Sequence, residues 1–192
     1  RICVKTFHEW VKYFNGSDSQ SDIAAIYGND SVLGRERSSH FKNLLDFHGG
    51  RYGDSEPIVI ARAPGRINMM GRHIDHQGGH ANMMAIGREM TVAASARDDD
   101  KIKMANMDPE FGERECRISH CFPEGIPKDW FRYMKSTHVV SSLAKEAGDW
   151  IHYVKGAFLR LQCEFPDKKL RGVNISFSGN IPVSAGLSSS SA

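Results

Sequence analysis

Near its end the chain alternates Val173, Ile175 and Phe177 with Asn174, Ser176 and Ser178. It then runs through Pro182 and Val183 into Ser184-Ala185-Gly186-Leu187-Ser188-Ser189-Ser190-Ser191-Ala192. Alternation at period two predicts a half-buried strand. A strand that opens onto a turn of small residues constrains the fold more than any other feature of this sequence. Small residues let successive backbone N–H groups aim into one concavity, and the hydroxyls add donors. A helix that followed would point its positive end at the same spot. That is the physical requirement for holding a polyphosphate. No Lys follows the glycine, so this is not the GxxxxGK[ST] loop. A flexible Ser-rich linker is the competing reading of the same residues.

A second cluster precedes it. Ile58-Val59-Ile60-Ala61 predicts a short buried strand, ended by Ala63-Pro64-Gly65. The stretch 65–80 is rich in Gly, Asn and His and reads as a loop. It gathers Arg66, Arg72, His73 and Asp75, donors and acceptors that can converge on one polar ligand. A sugar needs that mixture, because each hydroxyl both donates and accepts. Two other readings stay open. His73, Asp75, His76 and His80 are metal-ligand types at close spacing, although the two arginines would repel a cation. The segment could also be a surface loop with incidental histidines.

Around these motifs the periodicities predict alternating blocks. Phe7, Trp10, Val11 and Phe14 recur at helical spacing until Asn15-Gly16-Ser17. A second helix is expected after Ser21, with Ile23, Ile26 and Tyr27 on one face. A third over 36–47 carries Phe41, Leu44, Leu45 and Phe47 and ends at Gly49-Gly50. Met90 to Ala96, Ile102 to Met104 and Glu115 to Ser119 predict strands, with Asp98-Asp99-Asp100 as a turn. Residues 133–147 and 149–163 predict helices split by Gly148, the second with Ile151, Val154, Ala157, Phe158 and Leu161 as its apolar face. Cys116, His120 and Cys121 resemble a zinc set but are one ligand short. The domain reading is a helical lead segment over 1–50 followed by the main domain over 51–192.

Composition sets limits. Hydrophobic residues make up 40% and charged residues 25%, enough to build a core. The net charge of +2 argues against a strongly basic nucleic-acid surface. Apolar runs of about five residues are far short of the ~20 needed to cross a bilayer. Four cysteines do not make a disulfide scaffold. The expectation is a cytoplasmic protein that binds small molecules, with neither nucleic acid nor membrane as partner. Because the chain opens on Arg1 and closes inside the Ser-rich motif, an excerpt of a longer protein is also expected.

Ala63 to Gly79 and Pro182 to Ala192 resemble the first two motifs of the GHMP small-molecule kinases, and within them galactokinase. The resemblance runs from about Phe41 onward, roughly four-fifths of the chain. Arg62-Ala63-Pro64-Gly65-Arg66-Ile67-Asn68 is similar to the substrate-side strand. Met84-Ala85-Ile86 and the strand after it are similar to the next strand. Gly148 to Gly156 resembles the helix before the second motif, and Gly186-Leu187-Ser188-Ser189-Ser190 resembles the ATP loop. Two motifs in the family's order, about 115 residues apart, argue against chance agreement.

The resemblance implies an α+β fold, the N-terminal lobe of a two-lobed kinase with a mixed β-sheet backed by helices. It implies ATP-dependent phosphorylation of a monosaccharide at the C1 hydroxyl. Arg66 would stabilise charge beside the reacting oxygen, and His73 and Asp75 would hydrogen-bond sugar hydroxyls. Ser184, Ala185, Gly186, Leu187, Ser188, Ser189 and Ser190 would wrap the ATP phosphates, with Ser188 or Ser189 near Mg²⁺. The family's catalytic Asp would lie past Ala192, so residues 1–192 alone are expected to be inactive. Arg72 stands where galactokinases carry Glu. An Arg cannot accept a hydrogen bond but can pair with a carboxylate. The string His73-Ile74-Asp75-His76-Gln77-Gly78-Gly79 resembles plant galacturonate kinases, so a uronic acid is an alternative substrate. A non-catalytic sugar and ATP sensor on the same fold is the third reading.

Overall fold

The computed structural model describes residues 3–71 and 74–182, with Asp75 described by its backbone only. The described residues form a six-stranded mixed sheet in the order β1-β2-β3-β6-β4-β5. The strands are β1 (Val4–Lys5), β2 (Ile58–Met70), β3 (Asn82–Ala96), β4 (Lys101–Asn106), β5 (Glu113–Arg117) and β6 (Val173–Gly179). The helices are α1 (Phe7–Asn15), α2 (Ser17–Tyr27), α3 (Ser31–Tyr52), α4 (Trp130–Met134), α5 (Thr137–Lys145) and α6 (Ile151–Glu164). The chain divides into two compact units, one of residues 1–94 and 176–192, the other of residues 95–175.

In the first unit, helices start where side chains can replace missing backbone partners. Thr6 and Glu9 form a reciprocal capping box at α1, and Asp30 accepts from the Val32 and Leu33 amides at α3. Phe14 stacks on Phe41 at 5.6 Å, and Trp10 Nε1 donates to the Ile58 carbonyl at 2.8 Å. Leu44, Leu45 and Ile58 are fully buried, so α1 and α3 share a core with β2. The second unit holds β4 to β5, paired antiparallel, and α4 to α6. The turn Asp98–Asp100 that leads into β4 from β3, which is not its neighbour in the sheet, is held by a two-pronged Arg97–Asp99 pair and by Arg117 on Asp100.

Several expectations change. The one helix expected over 133–147 is two, α4 and α5, parted where Ser136 caps α5, and β3 begins at Asn82 rather than Met90. The strand that should stop at Ala63-Pro64-Gly65 continues as β2 to Met70, so much of the supposed loop is sheet. Proline does not end the strand here, and β1 pairs only with Ile58 and Val59, so that neighbour stops short of Pro64. Gly49-Gly50 does not end α3, which runs to Tyr52 and stops at Gly53 with φ 87°. A Cβ on Gly49 would sit 2.7 Å from the Phe7 ring, so this glycine serves close packing. Strand β6 is buried on both faces, Asn174 and Ser176 included, as befits a strand between two neighbours. α2 starts at Ser17 and leaves Ile26 exposed. α6 buries Ile151, Leu159 and Gln162, while Leu161 is exposed. Gln162 earns its burial by bonding the Phe165 and Lys168 carbonyls and the Leu170 amide.

Candidate functional site

Strand β2 carries Arg66 at its outer half. Ala63, Gly65 and Ile67 turn inward while Arg62, Pro64, Arg66 and Asn68 share the opposite, more exposed face. Residues 71–81 link β2 to β3, neighbours in the sheet. Gly71, at φ 82°, closes this link, and a Cβ there would lie 2.3 Å from the His80 carbonyl oxygen. The Ile74 carbonyl accepts from both Gln77 and Gly79, at 3.1 and 2.9 Å, wrapping Asp75–Gln77 into one 3-10 turn. The link is therefore a built turn that sets Asp75, His76 and Gln77 beyond the end of the Arg66 strand.

The structure brings together only part of the expected site. Arg66 is exposed on β2 and the Asp75 backbone lies in the turn. Arg72, His73 and the loop from Ser184 to Ser190 lie outside the described residues. Ile181, buried, and Pro182, exposed, lead into that loop. Among the described residues no three His, Cys, Asp or Glu side chains gather to hold a metal ion. That leaves Cys116, His120 and Cys121 without a zinc set. Burial raises both thiols, Cys116 to about 12, which keeps them protonated. An open cleft of about 380 Å³ lies elsewhere, lined by Lys5, Glu9, Lys12, Tyr13, Gly16, Ser17 and Asp18.

Sequence reasoning missed a buried polar cluster centred on Glu89 of β3, which is 2% exposed. Arg62 Nε donates to Glu89 Oε2 at 2.6 Å, the Tyr27 hydroxyl donates to Oε1, and Arg37 Nη1 lies 3.6 Å from Oε1. Both guanidinium groups lie over the Tyr27 ring, at 5.0 Å for Arg62 and 5.5 Å for Arg37. Arg37 also donates to the Gly87 carbonyl, while its buried Nε has no partner among the described residues. Burial first, then the bond to Glu89, pushes the Tyr27 phenol upward, so it stays a donor. On the main chain, the Glu89 amide donates to Asn180 Oδ1 at 2.8 Å and the Asn180 amide donates back to the Glu89 carbonyl at 3.1 Å. A sequence signal existed. Arg37, His40 and His48 occupy the same helical stripe as Phe41, Leu44 and Leu45, where solvated residues do not belong. His40 meets Thr91, and His48 meets Ser176.

Comparison with known proteins gives this geometry a family. Residues 46–96, from late α3 through β2 and β3, match the galactokinase galactose-binding signature, and residues 152–192 match the GHMP kinases N terminal domain. Galactokinase of Candida parapsilosis is 30% identical over 171 residues, covering 85% of this chain. The chain belongs to the GHMP kinases and is galactokinase-like. Galactokinase of Bacillus subtilis is 32% identical over 140 residues, 72% of the chain. This GHMP kinase chain spans 30% of the length of each of these two relatives. Its fold matches that of Lactococcus lactis galactokinase complexed with galactose, with a TM-score of 0.55 at 23% identity, over 78% of this chain and 33% of that one. As a GHMP kinase chain, its α+β architecture and sheet are those its sequence motifs implied.

Proposed function

We propose that the protein transfers the γ-phosphoryl group of ATP to the C1 hydroxyl of galactose or a close relative. The observation that carries this reading is the placement of the galactose-binding signature. It falls on the β2–turn–β3 segment, which exposes Arg66 and sets Asp75 in a closed turn just beyond. Such transfers need positioning and charge stabilisation more than covalent help from the protein. Arg66 stabilises negative charge building on the transferring group, and His73 and Asp75 hold the sugar by its hydroxyls. Ser184 to Ser190 offer backbone N–H groups and hydroxyls after a strand, a donor set that suits phosphate oxygens. The hydroxyls of Ser188 or Ser189 suit Mg²⁺, a hard cation that takes oxygen ligands and offsets phosphate charge when bound. Four unpaired cysteines suit a cytoplasmic setting.

The test is to incubate the gene's full-length product with ATP, Mg²⁺ and either galactose or galacturonate, and follow sugar 1-phosphate by phosphorus NMR. Turnover is expected. Tight binding of sugar and ATP without turnover would replace the enzyme by a sensor. A second reading rests on Arg72, a guanidinium in a position where a carboxylate would serve galactose. Here the substrate is a uronic acid whose carboxylate pairs with Arg72. Arg72→Glu then shifts the ratio of kcat/KM values from galacturonate toward galactose. A ratio that stays fixed would remove Arg72 from substrate selection.

A further inference from the structure

We propose that Glu89 is a positioning residue that holds the sugar motif and the phosphate motif in register. The proposal rests on the kinase reading above. Glu89 lies on β3, the strand between β2 and β6. Its side chain grips one neighbour and its main chain grips the other. The carboxylate holds Arg62 at 2.6 Å. Arg62 precedes Arg66 by four positions and shares its face of β2, about 13 Å away at ~3.3 Å per residue. The amide and carbonyl of Glu89 exchange hydrogen bonds with Asn180, which precedes Ser184 by four positions. One residue thus fixes the approach to both motifs at the same distance along the chain.

The surroundings stiffen this tie. Tyr27 and Arg37 reach the same carboxylate from α2 and α3, so it is held from three sides and cannot swing with β2. Thr91, two residues on, repeats the link to β6 by donating to the Ser178 carbonyl at 2.8 Å. A lone strand-to-strand ion pair would fix β2 alone. The Asn180 bonds extend the same anchor to the strand that ends at the phosphate loop. Phosphoryl transfer is sensitive to such registry, because displacing the reacting atoms by about 1 Å costs ~10²-fold in rate.

The experiment uses the full-length product and two variants. Glu89→Asp keeps the charge but withdraws the carboxylate by one methylene. Asn180→Ala leaves the ion cluster whole and removes the side-chain half of the other tie, the bond accepted from the Glu89 amide, while the backbone bond from the Asn180 amide to the Glu89 carbonyl remains. Calorimetry with the sugar and with a non-hydrolysable ATP analogue gives the dissociation constants and the fraction of binding-competent sites. Turnover is then expressed per competent site. Each variant is expected to lose at least about tenfold in that turnover while both dissociation constants stay within about threefold. A purely structural cluster would lower the fraction of competent sites and leave turnover per site unchanged, which overturns the proposal. Loss in one variant alone also overturns it, since both ties are required. If Glu89→Asp does not fold, Asn180→Ala decides alone. An inactive wild type would overturn the kinase reading and this role with it, whereas an active wild type with unaffected variants would overturn this role only.

Discussion

His48 is fully buried under the sheet, with Nδ1 2.9 Å from Ser176 Oγ and the Tyr52 ring against its own at 5.1 Å. Burial lowers its pKa from 6.5 to about 4. In an unfolded chain the same side chain takes up a proton below about pH 6.5. Between those values the unfolded state binds more protons, so stability falls as the pH drops through this window and levels below it. The full loss is about 3 kcal/mol at ~1.36 kcal/mol per unit. His40, lowered chiefly by burial and then by Arg37, acts in the same direction. His48→Gln should flatten much of this acid limb, and urea unfolding at pH 7 and pH 4.5 measures it. Equal acid sensitivity in variant and wild type would assign the limb to other groups.

The β2–β3 link shows what one element can demand of one residue. Gly71→Ala forces a positive φ on alanine and drives its Cβ into the His80 carbonyl. It should cost about 1–3 kcal/mol and weaken sugar binding, because the turn it distorts carries Asp75. Gly78 has φ 80° but open space around it, so Gly78→Ala should cost only the backbone strain of about 1–2 kcal/mol. Thermal melts together with sugar titrations separate the two variants; equal effects would mean that the His80 contact is irrelevant. Most strands and helices were readable from periodicity. The failures came where tertiary context overrode local punctuation. Pro64 lies in a strand that runs on to Met70, past the end of its β1 pairing, and Gly49 makes room for Phe7 within the last turn of α3. Neither fact can be read from the residues beside them.

At the scale of the whole molecule, the two motifs were legible because each is contiguous in sequence. The Glu89 cluster was not, because residues 27, 37, 62, 89 and 180 meet only once the sheet order exists. Residues 1–192 expressed alone are expected to show no sugar phosphorylation, because the family resemblance implies a catalytic Asp beyond Ala192. Sugar phosphate formed above a no-enzyme blank would place the base within this chain. The discontinuity of the first unit has a temporal side. Its residues up to 94 leave the ribosome first, but Ser176, Ser178 and Asn180, partners of His48, Thr91 and Glu89, follow the whole second unit. At ~5–20 residues per second, the intervening 80 or so residues take about 4–16 s to synthesise. Through that interval the early half carries an unfilled slot beside β3, and nascent chains stalled before residue 176 should be the ones that chaperones hold.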